Sequence, residues 1–247
     1  IREENFPCTQ PPCFPIISSE QGLICSLDQQ SWLDKAQVAL RNAAEKNNPD
    51  AARILCYTNR FVERLVPHAR RAVHGEMADQ MSVLPGEVLI SRRAVMTPAS
   101  IEGDEAEEEP GILFGSNTEF VVEDVSTEIY NCSDFDLAGQ SISNIPEIKT
   151  LIAKVVVGNS SSTIRLMPEV GSESRALLER LMHNLSNKAK TLPKKEARNL
   201  WRSFFFIRDS FASLGPASVL TVHRSQGSTF KEVFIASDIF YARDLSL

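Results

Sequence analysis

The sequence predicts an α/β protein whose parallel sheet is interrupted by a β-rich insert and then resumed. Three observations predict it. Arg53-Ile-Leu-Cys-Tyr57 is a short apolar run followed by a polar corner, Thr58-Asn59, and then an amphipathic stretch; strand, corner and helix together form the repeating unit of a parallel sheet. Far along the chain, Val219-Leu-Thr-Val222 is a β-branched run that stops at His223-Arg-Ser-Gln-Gly-Ser-Thr229, and a second apolar run, Val233-Phe-Ile-Ala236, follows at once. Between these segments the texture changes to short β-rich runs separated by turn residues.

Taken in order, residues 1–18 are rich in Pro and Cys without periodicity and predict an irregular arm. Gly22–Ser26 predicts a short strand. Ser31 has the character of a helix N-cap, and Trp32, Leu33, Ala36, Val38, Ala39, Leu40 and Ala43 give the helix a largely apolar surface. Asn47-Asn-Pro-Asp50 stops it. After the strand at 53–57, Phe61, Val62, Leu65, Val66 and Ala69 share one helical face that ends near His74-Gly75.

Glu87–Ile90, Glu119–Val125, Leu151–Val157 and Thr163–Met167 predict strands, and Gly158-Asn-Ser-Ser-Ser162 predicts a hairpin over Val155–Met167. Several short strands of this kind suggest a small antiparallel barrel, opened by Pro85–Val88 and Ser116–Phe120. Ser172–Phe211 returns to helical spacing as two helices separated by Asn187–Pro193. Trp201, Phe204, Phe205, Ile207 and Phe211 fit a core-facing helix packed on the sheet ahead of the Val219 strand. The domain boundaries expected on this reading are 1–75, 76–200 and 201–247.

Composition narrows the function classes. The chain has 247 residues, with 43% hydrophobic and 23% charged, which suits one or two ordinary globular domains. No apolar run approaches the ~20 residues that span a bilayer, and no signal-peptide pattern opens the chain. The five cysteines are odd in number and include no Cys-x-x-Cys pair, so the expectation is reduced thiols in a cytoplasm and no metal site. Net charge is −6, against a surface that attracts nucleic acid everywhere. The acids of Glu102-Gly-Asp-Glu-Ala-Glu-Glu-Glu109 account for that whole excess, which leaves room for a local basic groove. Starting at Ile1 and stopping at Leu247, the chain is expected to be a piece of a longer polypeptide.

The residue types at the polar corners suit contact with a polynucleotide backbone. Hydroxyls, imidazole and main-chain amides donate to phosphate oxygens without reading base sequence, and the carboxyl ends of parallel strands open into one crevice. A lone histidine is more often structural, and Thr58-Asn59 is equally a helix cap. The order Thr-Val-His-Arg-Ser-Gln-Gly-Ser-Thr-Phe over 221–230 resembles motif V of superfamily 1 DNA helicases, above all the RecD/Dda-like branch (exodeoxyribonuclease V alpha-subunit-like). Tyr57-Thr-Asn-Arg60 is similar to the block that opens the second motor domain there, motif IV. The close resemblance covers 54–60 and 218–235.

The resemblance implies a RecA-like (P-loop NTPase-type) parallel sheet domain carrying an inserted SH3-like β-barrel. It implies that Thr58, Asn59, Thr221, His223, Ser225 and Thr229 lie along single-stranded DNA, and that Gln226 and Gly227 couple this contact to an ATP site, with Arg60 near phosphate. Arg224 keeps both orientations open. Of the insert's aromatic residues, Phe114, Phe120, Tyr130 and Phe135, none forms a recognisable stacking platform, while Lys149, Lys154, Lys188, Lys190, Lys194 and Lys195 supply local positive charge.

No Gly-x-x-x-x-Gly-Lys-(Ser/Thr) loop occurs in the chain. The resemblance therefore implies that ATP and Mg²⁺ bind in the intact parent, with a first RecA-like domain as partner, and that neither is held tightly here. Motif VI is expected beyond Leu247, and Arg243 lacks its surroundings. The alternative from another class is a non-catalytic nucleic-acid-binding module on a degenerate motor fold. A third is a barrel that docks a protein.

Overall fold

The computed structural model describes residues 16–19, 22–25, 28–96, 111–131 and 147–241. The chain divides into two compact units, residues 1–81 with 216–247, and residues 82–215. The interruption thus falls at 81/82 and 215/216, where the sequence suggested 75/76 and 200/201. Most of the Pro- and Cys-rich arm, the acidic loop 102–109, Phe135 and Arg243 lie outside the described residues.

In the first unit, β1 (Ile16–Ser19) pairs antiparallel with β2 (Gly22–Cys25). A strand therefore forms within the segment expected to be irregular. Helix α1 (Gln29–Glu45) starts earlier than expected, because Asp28 and not Ser31 is the N-cap. The Asp28 carboxylate accepts from the Ser31 N–H at 3.0 Å and the Ser31 hydroxyl at 2.6 Å, and these bonds hold its pKa below the usual value. Past the helix end, Asn47 takes a positive φ of 48°, a conformation Asn tolerates well.

Strand β3 (Ala52–Cys56) is the centre of a parallel three-stranded sheet. It leads through Thr58 into α2 (Asn59–His74), which closes at Gly75 with φ 62°; the short helix α3 (Met77–Gln80) follows. Ala52, Ile54 and Cys56 alternate onto one sheet face, and α1 and α2 cover it with Ala36, Leu40, Val62, Leu65 and Ala69.

The second unit is built on an antiparallel sheet. Its strands are β4 (Val88–Ser91), β7 (Glu119–Asn131), β8 (Glu147–Val157), β9 (Ser160–Arg165) and β10 (Leu214–Pro216), in the order β10-β4-β7-β8-β9. A separate pair, β5 (Val95–Met96) with β6 (Ile112–Phe114), stands beside it. The β8–β9 hairpin forms as expected, with Gly158 at φ 57° in its two-residue turn. Among the described residues, the small barrel expected from the strand spacing does not close. One bridge, Leu166 to Ala212, ties the last strand to the segment before β10 where a closed barrel would have a ladder.

Helices α4 (Glu173–Thr191) and α5 (Lys194–Asp209) pack on each other and on the far half of the β7–β8 ribbon. Leu178, Leu181, Leu185, Leu200, Ile207 and Phe211 share a core there with Tyr130 and Ile148. This corrects the expectation that the aromatic helix packs on the parallel sheet; its apolar face is satisfied by α4 and the ribbon. Among the described residues no helix is long and apolar enough to cross a membrane.

Candidate functional site

The remaining strands of the first unit are β11 (Val219–Thr221) and β12 (Glu232–Ile235). Both run parallel to β3, one on each side, with Thr221 opposite Cys56 and Ile235 opposite Leu55. The parallel register brings the carboxyl ends of all three strands to one edge of the sheet. At that edge lie Tyr57-Thr58-Asn59, the corner 222–229, and Ala236–Asp238. Such an edge is where open α/β sheets place ligands.

The β11 strand is shorter than the apolar run suggested. It ends at Thr221, which is buried, and Val222 is only half-buried although its N–H still donates to the Cys56 carbonyl at 2.9 Å. The chain then folds into successive turns. Arg224 N–H and Ser225 N–H donate to the Thr221 carbonyl, and Ser228 N–H donates to that of Ser225. Gly227 supplies a left-handed φ of 88°, where a side chain would be strained.

The return limb is anchored twice. Lys231 N–H donates to the Asp50 carbonyl, and Phe230 lies under the Arg53 guanidinium at 5.3 Å. Arg53 itself is 2% exposed and pairs with Asp50 at 3.4 Å.

His223, Gln226, Gly227 and Thr229 are exposed on this corner, and Ser225 and Arg224 are half-buried. The Ser225 hydroxyl donates to the Val222 carbonyl, so it braces the turn and has no proton left for a phosphate. Thr58, Asn59 and Arg60 are exposed at the start of α2. Thr58 is the N-cap: its Oγ1 accepts from Phe61 N–H at 3.2 Å and donates to Asp238 Oδ2 at 2.9 Å. Its hydroxyl is therefore committed to structure. The Asn59 and Arg60 main-chain amides, in the first turn where no helical carbonyl reaches, remain suited to an anion.

Sequence reasoning missed Asp238. Its carboxylate is buried and accepts from Tyr57 N–H at 3.0 and 3.1 Å and from Thr58 N–H at 2.8 Å, besides the Thr58 hydroxyl. One carboxylate thus holds the β3 corner in place from the end of β12. The signal was present, because an acid two residues beyond an apolar run occupies the same kind of position as Thr58 after β3. Burial, with the Asp238 charge adding to it, pushes the neighbouring Cys56 thiol up to about 12.

The lysines named from the sequence lie exposed in the second unit. Lys154 is paired with Glu123 at 2.7 Å, and that partner raises its pKa. Phe120 is buried and stacks on Phe114, and Tyr130 is buried against Phe211, so these insert aromatics are core. Among the described residues no three His, Cys, Asp or Glu side chains gather to hold a metal. No family model matches the chain, and no curated protein matches it.

Proposed function

We propose that this chain is the second motor-domain part of an ATP-dependent DNA helicase of superfamily 1, RecD/Dda-like in kind, and that the edge formed by Thr58–Arg60 and Thr221–Thr229 grips single-stranded DNA. The observation that supports it most is the convergence of the two motif-like segments. They lie more than 150 residues apart in sequence, yet their strands are direct parallel neighbours, with Thr221 opposite Cys56. Exposed imidazole, carboxamide and main-chain amides at that edge are donors for phosphate oxygens.

In this reading the RecA-like sheet is the three-stranded parallel unit, and residues 82–215 stand where the SH3-like element is inserted. ATP and Mg²⁺ would be held chiefly by a companion RecA-like domain, because this sequence has no phosphate-cradling Gly-Lys-(Ser/Thr) loop. Gln226, Gly227 and Arg60 fit a nucleotide only from one side: all three are exposed, and Gly227 allows close backbone approach. Their part is to bind and orient at the shared cleft. Alternating grip and release then follows from different affinities for the strand in the open and closed states.

The test is binding of a labelled single-stranded oligodeoxynucleotide to this chain, followed by fluorescence anisotropy. His223→Ala and Gln226→Ala remove exposed side chains and leave the fold intact; His223→Ala is expected to weaken binding about tenfold, the value of one or two charge-assisted contacts. The chain alone is expected to hydrolyse no ATP. Robust hydrolysis by the purified chain, or unchanged DNA affinity in His223→Ala, overturns the reading.

A further inference from the structure

The second unit carries a feature that the core assignment of its aromatic helix conceals. Along α5, Lys194, Arg198, Trp201, Phe205 and Arg208 recur at spacings of four and three, which places them in one row on the helix surface. The core-facing row is a different one, Ala197, Leu200 and Ile207. Phe205 is 44% exposed and Trp201 half-buried. Their rings lie 6.0 Å apart at an interplanar angle of 28°, a stacked pair, and the Arg208 guanidinium sits 4.7 Å over the Phe205 ring. Phe204 meets both rings edge-on at 5.3 Å and fixes the pair from beneath.

The surroundings are positive. Lys194, Lys195, Arg198 and Arg202 are exposed. The acids of α5 itself are Glu196, exposed in its first turn and off the row, and Asp209, which is held by Arg208 at 2.6 Å. What sets Phe205 apart from a scattered exposed apolar residue is its place in a stack, between the Trp201 indole and the Arg208 guanidinium, within a run of cations. A flat aromatic column flanked by cations has one well-matched occupant, a chain of unpaired bases joined by phosphates.

We propose that this face of α5 is a second binding site for single-stranded polynucleotide, in which a base extends the Trp201–Phe205–Arg208 column and adjacent phosphates meet Lys194, Arg198 and Arg202. The site stands on the geometry of α5 alone and does not depend on the role given to the His223 corner. Duplex is excluded as the ligand because its bases are already stacked on each other.

The sequence contains two tryptophans, so Trp32→Phe leaves Trp201 as the sole indole reporter. The full-length variant is titrated with oligodeoxythymidylate of roughly 15 nucleotides, the upper range of a single-strand site. Trp201 emission is expected to be quenched on binding, and Phe205→Ala and Arg198→Ser each to weaken the quench-detected affinity about tenfold. If Trp32→Phe does not fold, wild type compared with Trp201→Phe isolates the same signal. His223→Ala is expected to keep the Trp201 quench at saturation, even where overall affinity falls.

Binding by anisotropy without any Trp201 quench, together with an unaffected Phe205→Ala, overturns this site and leaves the corner reading standing. Quenching of equal strength by duplex DNA or by a polyglutamate peptide overturns it as well, since either shows attraction to charge alone.

Discussion

At the scale of single residues, Asp238 carries more structure than any side chain named from sequence. Its carboxylate satisfies two main-chain amides and one hydroxyl at the β3 corner. Asp238→Asn turns a charged acceptor into a neutral amide and faces an NH₂ group towards N–H donors. The expected loss is about 2 kcal/mol, the range of bonds to a charged partner, measured by urea denaturation; a loss below about 0.5 kcal/mol would contradict the clamp. Cys56 gives a second residue-scale test. Its thiol, raised from 9.0 to about 12, stays protonated where an unfolded thiol ionises. The native state then holds a proton that the unfolded chain has lost. Its contribution to stability is full below pH 9.0 and declines between 9.0 and about 12. Cys56→Ala is expected to flatten that alkaline limb. In the native protein Cys56 is expected to resist a thiol reagent at pH 8 until denaturant is added.

At the scale of elements, the two corners differ in how they are held. The α2 start depends on Thr58, which caps the helix and bonds Asp238 at once. Thr58→Ala is expected to cost about 1–2 kcal/mol, at the upper end for a lost cap, and to speed amide exchange in the first turn of α2. The His223–Thr229 corner depends on Gly227 at φ 88°. A Cβ there meets no atom within 4 Å, so Gly227→Ala is a purely conformational change. It is expected to cost about 1 kcal/mol, keep the fold by circular dichroism, and weaken single-strand binding by distorting the exposed amides.

At the scale of the whole molecule, net charge and the proposed function pull in opposite directions. The net charge of −6 opposes general attraction to DNA, while the exposed cations of α5 lie together along its surface. Binding is therefore expected to involve few phosphates, with a log–log salt slope no steeper than about −4. A slope near −8 would contradict binding through few phosphates. Both units are expected to contribute to single-strand affinity. Truncating the column at Phe205 and the corner at His223 in one chain is expected to weaken binding more than either change alone.

Local pattern carried much of the fold in its own right. Strand, corner and helix at 52–74, the β8–β9 hairpin, and the polar corner after Thr221 each follow from short-range rules of alternation, capping and turn chemistry. Those rules act over a few residues and need nothing distant. What they leave open is partnership. The same periodicity that gave α5 an apolar face did not say which layer that face meets, and α4 with the β7–β8 ribbon meets it. Strand spacing suggested a barrel, but closure depends on edge-to-edge pairing between remote segments, and among the described residues a single bridge, Leu166–Ala212, stands in place of a ladder. Asp238 and the stack of half-buried Trp201 with exposed Phe205 emerge for the same reason. Hydrogen bonding across 180 residues, and how far each aromatic ring is drawn into a core, are decided only when distant elements pack together.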